Sequence, residues 1–346
     1  MTDAYLRPIP LTDPAQPRDG ALRLAGGWVQ FTHLERLRRG HAPDIVAARD
    51  LPEAVLAPFL APRPDVAGLT LDQPRLMGIL NVTPDSFSDG GVDDSPQAAV
   101  LRAQAMLADG ADLIDVGGES TRPGAQPLDA AQEIARVVPV IAGLRAAGIR
   151  APISLDTRKS DVARAGLAAG ADLLNDVSGL RHDPALARVA AQAGAPLFVM
   201  HSIGTPETMQ ALAPDAYGDV LLDVYDALAA TIAAAEAAGV VRARILIDPG
   251  IGFGKTLDQN LALLARISLF HGLGCGILLG VSRKGMIGTL SGQSVAARRG
   301  PGSAAIGLWA VQQGIQMLRV HDTDTHKQAL AVWQALAVGR QKERGR

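Results

Sequence analysis

From residue 76 onward, short apolar runs alternate with Ala-rich segments that have helical periodicity. The apolar runs cover residues 76–80, 112–116, 152–155, 172–175, 196–200, 244–247, 277–281 and 316–320. Runs of this length suit buried strands and are too short for core helices. The segments that follow them predict helices at about 96–109, 130–147, 160–169, 184–193, 215–238, 258–268, 302–314 and 324–337. Such units repeated over about 260 residues indicate an α/β fold, a (β/α)8 TIM barrel, with a doubly wound open sheet as the alternative.

Local signals mark the ends of these helices. The starts carry a capping residue before the first turn, in the pairs Ser95-Pro96, Ser160-Asp161 and Asp183-Pro184. The ends carry glycines, which terminate helices by adopting left-handed backbone angles, at Gly110, Gly148, Gly170, Gly194 and Gly239. The stretch LADGADLIDVGG is echoed by LAAGADLLNDVSG. This echo indicates that the helix-to-strand unit is repeated.

Residues 1–72 differ in composition from the rest of the chain. Ten of the 22 prolines lie before residue 76, and such stretches favour turns and extended backbone. We interpret this part as a Pro-rich N-terminal extension with one strand and a helix near residues 32–50. It carries no motif with a recognisable chemistry, so its role stays open. The predicted domains are therefore the extension at 1–72 and a TIM-barrel domain at 73–340.

Composition and charge exclude several function classes. The chain has 48% hydrophobic and 20% charged residues and a net charge of -2, without a Lys/Arg-rich run. Nucleic acid and anionic membranes are therefore unsuitable partners. The sequence has no apolar stretch of the roughly 18 residues that a membrane span needs, and no signal-peptide pattern. Cys275 is the only cysteine, which fits a reducing compartment, so we expect a cytoplasmic protein.

Polar side chains follow every predicted strand. In a barrel, the carboxyl ends of the strands share one face, and that face carries the chemistry. A single Asp or Asn there is often a helix cap, and a single His is often a satisfied core residue. Polar groups at every strand end in succession favour a functional site instead. These strand-end residues are Asn81, Asp115, Thr121, Arg122, Asp156, Asn175, Asp176, Met200, His201, Asp248, Phe253, Lys255, Ser282, Arg283, Lys284, Arg319, His321 and Asp322.

The strand-end residues predict a pocket for a flat heterocycle. Asp156, Asn175 and Asp248 offer acceptors, and Lys284 offers donors from the opposite wall. This arrangement suits a ring with an amino-amidine edge on one side and carbonyl or ring-nitrogen acceptors on the other. The Arg319 guanidinium can stack on the face of such a ring. A second group of donors suits a phosphate and comprises Asn81, Thr121, Arg122, Arg319 and His321.

The strand-end residues lie in motifs that resemble those of the dihydropteroate synthase family. The matching stretches are NVTPDSFSDGG, DVGGESTRPGA, SLDT, NDVSG, DPGIGFGK, SRKGMIG and RVHD, in the family's order. They cover about residues 76–337 and leave the extension unexplained. In two departures, Ile251 replaces an aromatic residue of many members, and Gly285 replaces a serine that follows SRK in others. We expect neither to touch a site group.

The resemblance implies a transferase that condenses 6-hydroxymethyl-7,8-dihydropterin diphosphate with 4-aminobenzoate, forming 7,8-dihydropteroate and pyrophosphate. It implies catalytic roles for Asp156 and Lys284. The implied pterin-binding residues are Asp156, Asn175, Asp248, Lys284 and Arg319. Those implied for the diphosphate are Asn81, Thr121, Arg122, Arg319 and His321, and those for the aminobenzoate are Pro123, Phe253 and Ser282. Mg²⁺ is the implied cofactor, with Asn81 as a ligand.

The same resemblance implies competition by sulfonamides at the aminobenzoate site and a homodimer formed through the outer helices of the barrel. The loops at 83–95 and 117–127 are long and rich in Gly and Pro. We predict that they close when diphosphate is bound and exclude water.

Two alternatives share the pterin-binding barrel. A methyltransferase that passes a methyl group from a methylated folate to a corrinoid needs no diphosphate clamp, so STRPGA, SRK and RVHD argue against it. A non-catalytic pterin-binding paralogue would be favoured by loss of a key site residue. The chain keeps Asn81, Asp156, Lys284 and His321, which favours the enzyme.

Overall fold

Strands and helices alternate along most of the chain, of which the computed structural model describes residues 4–13, 15–16, 18–82, 95–120 and 127–337. Four strands come first, at Tyr5–Pro10 (β1), Leu22–Arg23 (β2), Gln30–Leu37 (β3) and Asp44–Ala47 (β4). Eight more follow at Arg75–Asn81 (β5), Leu113–Gly117 (β6), Ile153–Asp156 (β7), Leu173–Asp176 (β8), Leu197–Met200 (β9), Ile245–Asp248 (β10), Gly276–Leu279 (β11) and Met317–Val320 (β12). The α-helices are Glu53–Leu60 (α1), Pro96–Ala108 (α2), Ala130–Ala146 (α3), Ser160–Ala168 (α4), Ala185–Ala193 (α5), Met209–Leu212 (α6), Val220–Ala237 (α7), Leu257–Ala265 (α8), Gly285–Ser291 (α9), Gly300–Gln312 (α10) and Thr323–Ala337 (α11).

Strands β5 to β12 close into a parallel barrel. Each strand pairs with the next along the chain, and β12 pairs with β5 to complete the ring. This confirms the predicted (β/α)8 fold and excludes the open doubly wound sheet. The strand register sets Asn81 beside Gly117, Gly117 beside Asp156, and Asp156 beside Asn175. Neighbouring strands therefore bring their polar side chains to one level at the carboxyl end of the barrel.

Most of the predicted capping residues and terminal glycines lie at helix ends in the structure. Ser95 caps α2, since its side chain accepts a hydrogen bond from the Ala98 amide at 3.3 Å, and Pro96 occupies the first turn. The five predicted glycines all have positive φ, as helix ends require. Ser160 is not a cap, because α4 already begins at this residue and Lys159 precedes it as N-cap. None of the helices in the described ranges is long and apolar enough to cross a membrane.

The repeated sequence unit has a structural purpose. Asp112 accepts the Leu76 amide at 2.8 Å, and Asp172 accepts the Ile153 amide at 2.7 Å. Each aspartate therefore satisfies the backbone at the start of a neighbouring strand, where the strand ladder leaves an N–H without a partner. The echo in the sequence reports this shared connection, made by Asp112 in one unit and Asp172 in the other.

The amino-terminal end of the barrel is closed by the segment that leads into it. Val66 and Leu71 are buried and pack with the apolar side chains at the starts of the barrel strands, among them Met77 and Phe198. Burial of this apolar surface stabilises the fold by about 25 cal/mol for each Å² removed from water. The closed end leaves the carboxyl face as the accessible mouth.

The extension is a folded sheet, and the predicted helix near 32–50 is wrong. That stretch contains the end of β3 and all of β4, and β3 pairs antiparallel with β1, β2 and β4, whereas α1 begins only at Glu53. The sheet packs on the outside of the barrel. The Trp28 indole donates to the Val311 carbonyl at 2.8 Å, and the Tyr5 hydroxyl donates to Asp226 at 2.8 Å.

Glu35 joins the extension to the barrel. Its carboxylate accepts from Arg7 at 2.5 Å and from Arg266, which begins the turn after α8, at 3.2 Å. Burial alone would raise the pKa of Glu35, but the hydrogen bonds from Arg266 and Arg7 outweigh burial and hold the pKa below its ordinary value. The ionised carboxylate is therefore part of the contact.

Replacing Glu35 with glutamine should lower the free energy of unfolding by about 1–3 kcal/mol, because two guanidinium groups lose a charged acceptor. Glu53→Gln, at an exposed position, is the matched control. A lowered pKa stabilises the fold above the unfolded value and loses this effect as pH falls. Denaturant unfolding should thus show a difference between Glu35→Gln and wild type that shrinks below about pH 4.5. A difference that persists unchanged in acid would contradict this account.

Candidate active site

Among the residues that the structure describes, those predicted for the site lie at the carboxyl face of the barrel. Asn81, Asp156 and Asp248 are the last residues of β5, β7 and β10. Asn175 and Arg319 are the next-to-last residues of β8 and β12. Five strands therefore contribute a polar side chain at the level where the barrel opens.

Arg319 is the centre of the first cluster. Its Nε donates to Asp115 Oδ2 at 2.5 Å, and its Nη2 donates to Asp156 Oδ2 at 2.7 Å. The Asn175 amide nitrogen donates to the same Asp115 oxygen at 3.2 Å. One guanidinium thus joins two carboxylates from neighbouring strands and holds their side chains in fixed positions.

Burial controls the ionisation of this cluster. It raises the pKa of Asp156 to about 8, although the Arg319 charge acts in the opposite direction. The carboxylates of Asp115 and Asp156 raise the pKa of Arg319 above its ordinary value despite burial. Within the described residues, Asp115 Oδ1 is buried and has no hydrogen-bond partner. The cluster therefore holds excess acceptor capacity, as expected where a ligand N–H is to be bound.

Lys284 and Asp248 form the second cluster. Burial lowers the pKa of Lys284 to about 8, and the Asp248 charge opposes this shift. The ammonium donates to the Ile251 carbonyl oxygen and lies 4.4 Å from the centroid of the Phe253 ring. Asp248 ends β10, and Lys284 follows β11, which is the neighbouring strand. The expectation that Ile251 touches no site group is wrong, although the contact uses only its backbone.

The loop after β10 is held in place by buried polar contacts. The Asp248 carboxylate accepts the Gly250 amide at 2.7 Å. A Cβ added at Gly250, where φ is +70°, would lie 1.8 Å from the His201 carbonyl oxygen, so only glycine fits. Lys255 donates to the carbonyl oxygens of Gly250 and Phe253 at 2.8 and 3.0 Å. Lys255 and His201 are therefore structural, as their buried contacts indicate.

Ser282 and His321 meet at a third position. The Ser282 oxygen lies 3.0 Å from His321 Nδ1 and accepts the His321 amide at 3.1 Å. Nearby, Arg283 pairs with Asp322, with Nε to Oδ2 at 3.0 Å. Arg283 has a φ of +59°, so this ion pair accompanies a strained turn that directs Lys284 into the site. Arg283 and Asp322 therefore stabilise the conformation of the loop that precedes Lys284.

Four other residues that the sequence singled out are either structural or lie outside the described residues. Asp176 is structural, since its oxygens accept the Ser178 and Leu180 amides at 2.7 and 2.6 Å. Three site residues lie outside the described residues, as do most of the two loops expected to close over the site. These three residues are Thr121, Arg122 and Pro123.

Sequence reasoning gave no role to Asp115 and missed a buried ion network. Lys159 contacts Glu133 at 2.5 Å and Glu119 at 3.1 Å, and Arg158 contacts Glu119 at 2.9 Å. A carboxylate in the middle of the apolar run LIDVG was the available signal for Asp115. The network had no such signal, because its members come from separate elements.

Two side-chain oxygens flank the space above Gly117. A Cβ built there would lie 3.6 Å from Asn81 Oδ1 and 3.7 Å from Asp156 Oδ2, so glycine keeps this space open. Mg²⁺ takes such oxygens together with phosphate oxygens and water. Among the described residues, no group of three or more His, Cys, Asp or Glu side chains could hold a metal. A magnesium ion bound here would therefore need further oxygens from a phosphate ligand and water.

Known proteins match most of this chain. A family model described as pterin binding enzyme matches residues 77–321. Dihydropteroate synthase of Neisseria meningitidis serogroup C is 45% identical over 271 residues, which cover 78% of this chain and 94% of that protein. The chain belongs to the dihydropteroate synthase family. The enzyme of Escherichia coli K12 is 43% identical and covers 80% of this chain and 96% of its own length.

Solved dihydropteroate synthases share the fold. The Xanthomonas albilineans enzyme with 4-aminobenzoic acid has a TM-score of 0.74 and 46% identity, covering 80% of this chain and 98% of its own. The same enzyme in complex with 7,8-dihydropteroate has a TM-score of 0.72 and 43% identity, covering 80% and 99%. The Yersinia pestis enzyme with a sulfonamide drug has a TM-score of 0.73 and 41% identity, covering 80% and 98%. About a fifth of this chain thus has no counterpart in these structures.

Proposed function

We propose that the chain condenses 6-hydroxymethyl-7,8-dihydropterin diphosphate with 4-aminobenzoate to give 7,8-dihydropteroate and pyrophosphate. The observation that carries this proposal is the Arg319 cluster with Asp156 and Asn175, beside the Lys284–Asp248 cluster. Both occur within the part of the chain that the family model matches. Relatives solved with 4-aminobenzoic acid and with 7,8-dihydropteroate support the choice of substrates. Formation of 7,8-dihydropteroate by the purified protein tests the proposal.

The pterin is held by donors and acceptors on its two edges. Asp248 and Asn175 accept from the amino-amidine edge, and Lys284 donates to the carbonyl and ring nitrogen on the other side. Asp156 accepts a ring N–H, and Arg319 presents its planar face to the ring. These contacts position the exocyclic carbon toward the diphosphate end, where Ser282 and His321 meet.

The reaction breaks the bond between the exocyclic carbon and the diphosphate oxygen. The electron pair leaves with the diphosphate, and the electron-rich pterin bears the resulting positive charge. A fixed Asp156 carboxylate stabilises this charge in a pocket of low dielectric constant. The arylamine is already neutral at pH 7, so its nitrogen attacks the carbon without a strong base and then loses a proton to solvent. This explains why no nucleophile–base triad is needed.

The diphosphate is assigned to Asn81, Thr121, Arg122, Arg319 and His321. Mg²⁺ bound with it would be held partly by Asn81 and would neutralise charge on the departing group. His321 adds a donor, and its ring position is fixed by Ser282. Because of this contact, we expect Ser282 to lie near the diphosphate as well as near the aminobenzoate.

The aminobenzoate is assigned to Pro123, Phe253 and Ser282. The Phe253 ring provides a flat apolar surface next to the Lys284 ammonium. A sulfonamide drug bound to the Yersinia pestis relative supports competition by sulfonamides at this site. Competition kinetics against 4-aminobenzoate test this assignment.

The rate constant kcat/KM for the pterin diphosphate should have a maximum near pH 8. Above it, Lys284, whose pKa is about 8, loses the proton that it donates. Below it, Asp156, whose pKa is also about 8, becomes protonated and cannot stabilise the cation. Profiles from about pH 6 to 10 should therefore be bell-shaped. Lys284→Arg should remove the alkaline decline, since arginine stays protonated; a decline that remains in this variant would exclude Lys284 as its cause.

The proposal includes a homodimer formed through the outer helices. Large apolar side chains are exposed on α9, α10 and α11, and hydrophobic surface of this kind favours association. They are Leu290, Trp309, Val332 and Leu336. Sedimentation equilibrium should give twice the chain mass of 36.0 kDa, and a single chain mass would contradict the dimer.

A further inference from the structure

Asp115 lies inside the barrel, one layer below the residues proposed to bind the pterin. It comes two residues before Gly117 on β6, and the strand register sets Gly117 beside Asp156. Residues two apart on a strand share a face, so Asp115 is on the Gly117 face at a lower level. Its carboxylate is 0% exposed, as are the neighbouring Ile114 and Val116. An apolar side chain would fill this position without the desolvation cost of a charge, so packing does not explain a carboxylate here.

One oxygen of Asp115 binds two of the proposed pterin-binding side chains. Its Oδ2 accepts Arg319 Nε at 2.5 Å and Asn175 Nδ2 at 3.2 Å. Its Oδ1 is buried and has no hydrogen-bond partner among the described residues. Arg319 also donates to Asp156, at 2.7 Å, whereas the Asn175 amide is held by Asp115. The carboxylate therefore acts on Asn175 more than on Arg319.

This contact decides which end of the Asn175 amide faces a ligand. The amide has an NH₂ end that donates hydrogen bonds and an oxygen that accepts them. A carboxylate paired with a guanidinium only accepts, so the NH₂ end has to face Asp115. Turning the amide over would place its oxygen against Asp115 Oδ2 and leave two buried acceptors without a donor. Asn175 Oδ1 is therefore the end that remains for the ligand.

An acceptor fixed in this way selects for a donor on the ring. The 2-amino group of a pterin supplies N–H donors at its amino-amidine edge, whereas the 2-oxo analogue of the same ring has a carbonyl oxygen at that position. Two oxygens facing each other in a buried site leave both without a partner. Asp248, the other acceptor proposed for this edge, is held separately by the Gly250 amide at 2.7 Å. The orientation of Asn175 thus depends on Asp115, and that of Asp248 does not.

We propose that Asp115 is a positioning residue that sets the ring specificity of the site, because it fixes the Asn175 amide with its oxygen toward the ligand. The inference rests on the proposed function and deepens it, since it names the feature by which the site selects a 2-amino ring over a 2-oxo ring. Asp115 acts through Asn175 and does not itself contact the substrate.

The test measures, by isothermal titration calorimetry, the binding of 6-hydroxymethylpterin and of its 2-oxo analogue 6-hydroxymethyllumazine. Wild type should bind the pterin about tenfold or more tightly, as expected where one ligand leaves a buried acceptor unpaired. Asp115→Ala should reduce this ratio of Kd values by about fivefold or more, because the Asn175 amide is then free to turn toward either ring.

Asp115→Asn is the matched control. It loses the same charge as Asp115→Ala, but its carbonyl oxygen can take the position of Oδ2, since the Arg319 guanidinium only donates. The acceptor that faces Asn175 is therefore kept. Loss of the charge should weaken the binding of both rings in both variants, whereas the ratio of Kd values for Asp115→Asn should stay within about twofold of wild type.

The outcomes separate ring specificity from general damage to the site. Circular dichroism reports the fold, and Asp115→Val, which fills the space without an acceptor, replaces Asp115→Ala if that variant does not fold. An unchanged ratio in the variant without an acceptor overturns the inference, and so does an equal fall of the ratio in Asp115→Asn. Wild type that binds both rings equally overturns the inference alone. Absence of binding of either ring overturns the proposed function as well.

Discussion

Replacing Lys284 with alanine should reduce kcat by about 10²–10³-fold, the usual effect of removing one preorganised donor from an active site. The ammonium lies beside the buried Asp248 and next to the Phe253 ring, where the pterin and the arylamine would meet. Loss of this donor should remove the proposed contact to the pterin carbonyl edge. It also leaves Asp248 without its cation, and the carboxylate can then take up a proton.

The fold should survive this change, because Lys284 is on a loop and Asp248 can become neutral. Lys327→Ala, at an exposed position on α11, is the matched control and should keep full activity. Circular dichroism and thermal unfolding report the fold, and steady-state kinetics report turnover. Near-normal activity of Lys284→Ala would exclude its assigned role.

Asp156→Asn should have a similarly large effect and should act on kcat more than on KM. Asparagine keeps the shape and a carbonyl acceptor for the ring N–H, so substrate binding changes little. It cannot supply the negative charge that stabilises the pterin cation, so kcat should fall by about 10²–10³-fold. Arg319 should stay in place, since Asp115 still accepts its Nε at 2.5 Å.

Asp161→Asn is the control for this substitution, because Asp161 is exposed in the first turn of α4. It should leave both kinetic constants unchanged. If Asp156→Asn instead raises KM and leaves kcat intact, Asp156 only binds the ring and does not stabilise the developing charge. That result would move the catalytic role to another group of the Arg319 cluster.

The barrel was predictable because each strand–helix unit is encoded locally. Apolar runs, capping residues and terminal glycines lie next to one another in the chain, and the observed strands agree with the predicted runs within one or two residues. The extension depends on distant pairing instead. Tyr5 pairs with Leu37 across the sheet, and this pairing overrides the helix-like spacing of Leu34 and Leu37. No local pattern could reveal it.

The composition of the site was predictable, but its connections were not. Position after a strand was enough to find Asp156 and Arg319. Their hydrogen bond joins residues 163 apart in sequence, and the bond from Arg319 to Asp115 spans 204. Lys255 and Lys284 both follow strands, yet of the two only Lys284 faces the site. The Lys255 ammonium instead donates its hydrogen bonds to backbone carbonyl oxygens of its own loop. Such distinctions depend on three-dimensional packing.

The central claim is tested most directly by measuring pyrophosphate release from the pterin diphosphate by the purified protein with Mg²⁺, with and without 4-aminobenzoate. The account predicts release that depends on the arylamine and yields one 7,8-dihydropteroate for each pyrophosphate. Tight binding of the pterin without arylamine-dependent release would contradict the account and indicate a non-catalytic pterin-binding protein.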